Sequence, residues 1–227
     1  MNAAKRLAGL LLEIQKSKKS TAYDIFSEIF GVEGCHEVAN KVYICLKELE
    51  KIEKHVFKHK VPNAQRTINE LKNEIFQCRC LSNNINKSKI PQVLGAIEML
   101  IPFMPDDEKE YDNKALTELA DQIIRLHNEI ETNEDLESTH KEILLSFTSE
   151  LLDGITVGQK CGFWYLQKKT EIAAGKFVLY NDVFKNSGYY DIATDILNKT
   201  TGFLDKVLIF YGATEVLLHG MRLLANG

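Results

Sequence analysis

Apolar residues recur alternately three and four positions apart along three stretches of this chain. One runs Val38, Val42, Cys45, Leu49, Ile52 and Val56; a second runs Ile68, Leu71, Ile75 and Cys78; a third runs Leu116, Leu119, Ile123, Leu126 and Ile130. A helix with 3.6 residues per turn gathers such positions on a single stripe, whereas a half-buried strand needs strict alternation. The stripe leaves water only where another helix lies along it. The spacing therefore predicts an all-α protein, a multi-helix bundle of antiparallel helices. At typical helix lengths the 227 residues make roughly seven to nine helices.

Local signals place the ends of several helices. A first helix is expected over residues 3–18, and Thr21 reads as the N-cap of a short second one that stops near Gly31. The longest seam spans residues 35–60. Pro62 and Asn63 then turn the chain, and the next helix is expected to reach about residue 81. So short a connection makes these two helices an antiparallel hairpin and sets Cys45 opposite Cys78.

A polar loop at residues 82–88 precedes a helix over residues 91–101. Pro102 and Pro105 mark the best internal boundary. An acidic helix is expected over residues 112–131, and Thr132 or Asn133 reads as the cap of the next. That helix would carry Leu136, His140, Ile143, Phe147 and Leu151 on one face.

Residues 143–227 hold nine of the 13 glycines and 12 of the 20 aromatic residues, and this C-terminal third reads as less regular. Helices are expected there at 193–198 and 204–224, while 177–184 fits a strand, a loop or a short helix. The organisation that follows is an N-terminal helical part with the long hairpin (1–104) and an acidic helix plus C-terminal helical part (105–227). The two are expected to pack as one domain.

Composition excludes several classes. No window holds the roughly 18 uncharged apolar residues of a membrane span; residues 203–224 come nearest and are broken by Asp205, Lys206, Glu215, His219 and Arg222. Residues 2–12 lack the cleavage site of an export signal, so a cytoplasmic location is expected. Five cysteines (35, 45, 78, 80 and 161) then read as reduced thiols, with Cys45 and Cys78 serving as small hydrophobes.

The formal charge of −4 hides opposite blocks. Residues 1–103 carry 16 basic and 11 acidic side chains, residues 104–142 carry 4 and 13, and residues 143–227 balance at 8 and 8. Lys47, Lys51, Lys54 and Lys58 recur at helical spacing away from the apolar seam and form a basic stripe that Arg66 extends. Glu48, Glu50 and Glu53 are interspersed along it and no stacking aromatics accompany it, which disfavours nucleic acid as the partner.

His55 and His59 stand one turn apart but have no third ligand nearby, and lysines surround them. Glu137 and His140 make one Glu-x-x-His pair without the second copy that a di-metal bundle needs. Phosphate loops, nucleophile elbows and paired CxxC motifs are absent from the sequence, so no catalytic residue, cofactor site or metal site is assigned.

Gly154, Gly158 and Gly162 put bare positions on one helical face, which serves tight packing within a bundle or, alternatively, helix association in lipid. Trp164, among the densest aromatic residues, is the first interface candidate.

The favoured reading is a non-enzymatic helical protein of the adaptor or scaffold type that works by protein–protein interaction or self-assembly, as an oligomer. Two alternatives stand beside it. One is a membrane-active bundle whose glycine-spaced and C-terminal helices engage lipid. The other is a nucleic-acid-associated protein or an enzyme with a site built from distant residues.

Overall fold

The computed structural model describes residues 1–61, 64–76 and 81–209. Within them the protein is all-α. Unlike the roughly seven to nine helices expected, the described residues hold ten α-helices and no strand. The turn expected at Pro62 and Asn63, Cys78 with Cys80, and the helix expected beyond residue 209 lie outside the described residues.

The chain divides into two compact units. The first comprises residues 1–107 with 160–162, the second residues 108–159 with 163–227.

In the first unit, α1 (Ala3–Lys16), α2 (Ala22–Phe30), α3 (Cys35–His59), α4 (Ala64–Glu70) and α5 (Ile90–Glu98) are joined by a π-helical turn at Leu71–Ile75 and 3-10 turns at Lys87–Lys89 and Ile101–Phe103. α1 packs on α2, α3 and α5, and α3 also meets α2 and α4.

The α3 seam explains this arrangement, since Val38, Val42, Cys45, Leu49, Ile52 and Val56 are all buried. Removing such side chains from water contributes about 1.5–3 kcal/mol each, before chain entropy is set against it.

α2 begins and ends where its residue types require. The Thr21 hydroxyl accepts from the Asp24 N–H at 3.1 Å, and Gly31 closes the helix with φ +62°, a conformation that costs a residue with a Cβ more.

The loop after α5 is fixed from a distance. Asn2 caps α1 by accepting from the Lys5 N–H at 3.1 Å, and its amide donates to the Ile101 and Met104 carbonyls at 3.1 and 3.3 Å.

A buried ion network stands beneath this loop. Arg6 and Glu48 are almost wholly out of water; the Arg6 guanidinium donates to Glu48 at 2.6 and 2.9 Å and to Asp107 at 2.6 and 2.8 Å. Two carboxylates share one guanidinium, and Lys51 bonds the second oxygen of Glu48.

The second unit holds α6 (Asn113–Thr132), all but the last two residues of α7 (Ser138–Cys161), α8 (Trp164–Leu179), α9 (Asn181–Asn186) and α10 (Tyr190–Val207). Asp112 caps α6 by accepting from the Lys114 N–H at 2.8 Å, and all five of the seam residues from Leu116 to Ile130 are buried.

Three expectations are corrected in this unit. Asn133 terminates α6 instead of capping the next helix, and its side chain accepts from the Asp135 N–H, so α7 starts only at Ser138. The buried stripe of α7 is Leu144, Phe147, Leu151 and Ile155, with Leu136 outside the helix. Residues 199–203 continue α10 without a break, the Thr200 and Thr201 hydroxyls donating back to the Ile196 and Leu197 carbonyls at 2.8 Å. Residues 177–184 are the end of α8 followed by α9.

The glycine face of α7 meets α8. A Cβ on Gly154 would stand 2.8 Å from Leu166 Cδ1 and 2.9 Å from Lys169 Cβ, and one on Gly158 would stand 3.0 Å from Phe163. The bare positions therefore serve contact between helices of the protein. Gly162, at φ +101°, ends α7, and the next N–H, that of Phe163, donates to the buried Glu108 carboxylate.

Candidate interaction surface

The basic stripe of α3 divides in the structure according to which lysines find carboxylates. Lys47 pairs with Glu50 at 3.0 Å and lies over the Tyr43 ring at 4.9 Å; the Tyr43 hydroxyl and Glu50 together raise its pKa. Lys51 belongs to the Arg6 network, and Arg66 on α4 pairs with Glu70 at 3.1 Å one turn away. Among the described residues neither Lys54 nor Lys58 has a carboxylate partner.

Lys54 and Lys58 line a groove of about 280 Å³ in the first unit, together with Lys51 and His55 of α3. Ala3, Met104 and Pro105 supply apolar surface, and Asp107 completes the lining. Asp107 adds little negative charge to the opening, because Arg6 and Lys51 already hold it. Burial opposes its ionisation, yet the Arg6 hydrogen bonds and charge outweigh burial and keep the carboxyl below its usual range.

Three large apolar residues of the first unit are strongly exposed. Phe57, between Lys54 and Lys58 in sequence, is 79% exposed, and Phe103, next to Met104, is 68% exposed; Met99 at the end of α5 is 69% exposed. Phe57 and Phe103 adjoin the groove-lining Lys58 and Met104 in sequence, which makes them candidate contacts for a partner.

The remaining sequence candidates fall elsewhere. Trp164 opens α8, half-buried and edge-on to Tyr165 with ring centroids 5.8 Å apart. The His55 and His59 ring centroids are 4.3 Å apart, with the planes tilted by 37°. Glu137 meets His140 at 3.6 Å, while His127 bonds the Thr148 hydroxyl at 2.7 Å. No group of three or more His, Cys, Asp or Glu side chains among the described residues could hold a metal ion.

Cys78, the expected neighbour of Cys45, lies outside the described residues, and Cys45 contacts Cys161. The two Sγ atoms are 3.6 Å apart and buried within the first unit, and burial, reinforced by Cys161, raises the Cys45 thiol pKa. The sequence offered no local sign of this pair, nor of the Arg6–Glu48 bond, because partners 116 and 42 residues apart meet only through the fold.

A second cavity, of about 540 Å³, lies in the second unit between α6 and α10. Tyr111, Leu119, Phe203 and Val207 line it with Gln122 and Lys199. Two of its polar side chains share a network with Asp195: Gln122 donates to Asp195 at 2.7 Å, and Lys199 donates to Gln122 and Asp195 at 3.0 and 2.6 Å.

Fold and surface together define an all-α protein with a cationic groove in its first unit. No family model, curated protein or solved structure matches the chain.

Proposed function

We propose that this chain is a non-enzymatic helical protein that acts by surface recognition, binding another protein or a copy of itself in the manner of an adaptor or scaffold. The observation that carries this reading is the first unit's groove, where Lys54 and Lys58 lack carboxylate partners among the described residues and the lining residues Lys58 and Met104 are preceded in sequence by the exposed Phe57 and Phe103. Exposed aromatic side chains give contact area, and a cationic rim selects for acidic partners. The lipid alternative is weaker because α8 fills the glycine face of α7, and because no helix among the described residues is long and apolar enough to cross a membrane.

The test is purification of the tagged chain from its own host beside a Phe57→Ser/Phe103→Ser variant. Both positions are exposed, so the variant is expected to keep its helical circular dichroism. The reading predicts a complex of fixed stoichiometry that the variant loses. A variant that keeps every associated protein counts against it.

A further inference from the structure

Two surfaces of this chain carry several charges without ion-pair partners among the described residues, although Asp107 lines the first and Lys141, which donates to the Asn133 carbonyl at 3.2 Å, sits at the second. In the first unit the groove presents Lys54 and Lys58 without carboxylate partners among the described residues. In the second, the turn from α6 into α7 exposes Glu129, Glu131, Glu134, Asp135 and Glu137; among the described residues the first four have no cationic partner and Glu137 has only His140. Asn133 holds this turn in place, accepting from the Asp135 N–H at 3.0 Å while its amide donates to the Tyr189 hydroxyl at 3.2 Å. The acidic side chains are thus presented from a built turn.

We infer that the groove formed by Lys54, Lys58, Met104 and Pro105 receives the acidic α6–α7 turn of a second copy of this chain. The inference rests on reading the groove as a recognition surface and names its partner. Charge complementarity is the warrant: the carboxylates gain two ammonium groups that have no carboxylate partner among the described residues, and the groove's apolar portion loses water in the same step. The contact joins two different patches, so it closes as a reciprocal pair or continues head to tail, and the size found by light scattering distinguishes the two.

Exposed charges carry the contact, so salt must weaken it. Screening shortens from about 10 Å at 0.1 M to about 3 Å at 1 M ionic strength. Light scattering on the full chain across concentration at low salt should show concentration-dependent association, with the apparent dissociation constant rising roughly tenfold or more at high salt.

Two charge-reversed chains give the decisive test, Lys54→Glu/Lys58→Glu in the groove and Glu134→Lys/Asp135→Lys in the turn. All four positions are exposed, and matching circular dichroism and thermal midpoints check that both chains fold. Each variant alone should be monomeric, since each lacks one half of the contact. Mixed, they should form a one-to-one pair that grows no further, built from the intact groove of one and the intact turn of the other.

A native chain that stays monomeric at low salt overturns the inference, as does an oligomer insensitive to salt or a mixture of variants that remains monomeric. If the native chain is monomeric in isolation while the host complex is still lost on Phe57→Ser/Phe103→Ser, the groove serves a different acidic protein. The self-association then fails and the proposed function stands.

Discussion

Gly154 shows how little room a single position can leave. An added Cβ would meet Leu166 Cδ1 at 2.8 Å, Lys169 Cβ at 2.9 Å and the Leu166 Cα at 3.2 Å, so the backbone of α8 itself would have to shift. Alanine gains about 1 kcal/mol of helix propensity over glycine, but overpacking costs about 1–3 kcal/mol. Gly154→Ala is expected to be destabilising, whereas Gly175→Ala, with nothing within 4 Å of its Cβ, should stabilise by about 0.5–1 kcal/mol. Urea unfolding of the two variants checks the contrast, and equal midpoints would sink the argument. Ionised residues are tied to stability in another way. Burial opposes the ionisation of Asp107 and Glu150, yet Arg6 and Lys51 for the first, and Lys169 and Lys176 for the second, hold both pKa values below the ordinary range. A depressed folded-state pKa contributes stability that is complete above the unfolded value of about 4 and disappears as pH falls through the folded value. Unfolding midpoints should therefore decline below about pH 4, and Asp107→Asn should make that decline shallower. A variant with the same acid slope as the native chain would contradict this account.

Helices whose ends rest on local chemistry could be read directly from the sequence. Thr21 and Gly31 bracket α2, Asp112 opens α6, and the seams of α3 and α6 are buried as their spacing requires. α8 could not be read in this way. It buries Tyr165, Leu166, Ala173 and Phe177 but leaves Ile172, Val178 and Leu179 exposed, so its apolar residues mark no single face. The candidate surface was half legible. The lysine spacing on α3 and the carboxylates one turn away that take up Lys47 and Lys51 appear in the sequence, but the Arg6 and Asp107 side chains that complete the network and the loop that brings Met104 and Pro105 beside Lys54 belong to tertiary structure. That loop depends on Asn2, which caps α1 and bonds two of the loop's carbonyls with one side chain. Asn2→Ala is expected to cost about 1–2 kcal/mol, for the lost cap and the two unpaired acceptors. Amide exchange should rise at residues 100–105 and stay unchanged in α6. Uniform acceleration across the chain would mean that Asn2 acts only through global stability.

At the scale of the whole molecule, the first unit is discontinuous in sequence: residues 160–162, which include the last two residues of α7, belong with residues 1–107. Cys161 buries its thiol against Cys45 there, with the sulfurs 3.6 Å apart, while Cys35 at the start of α3 is exposed. Thiol reactivity therefore reports whether this late segment is an integral part of the unit. A thiolate must form and meet the reagent, and burial opposes both steps at Cys45. Under native conditions an alkylating reagent should modify Cys35 quickly and Cys45 only through opening of the structure. If residues 160–162 are held as firmly as the unit they complete, Cys161 should react at the same slow rate as Cys45, because one opening exposes both sulfurs. Peptide-resolved mass spectrometry over a time course separates the sites. Cys161 labelling well ahead of Cys45 would show that the end of α7 comes away on its own, and that the core around α3 closes without it.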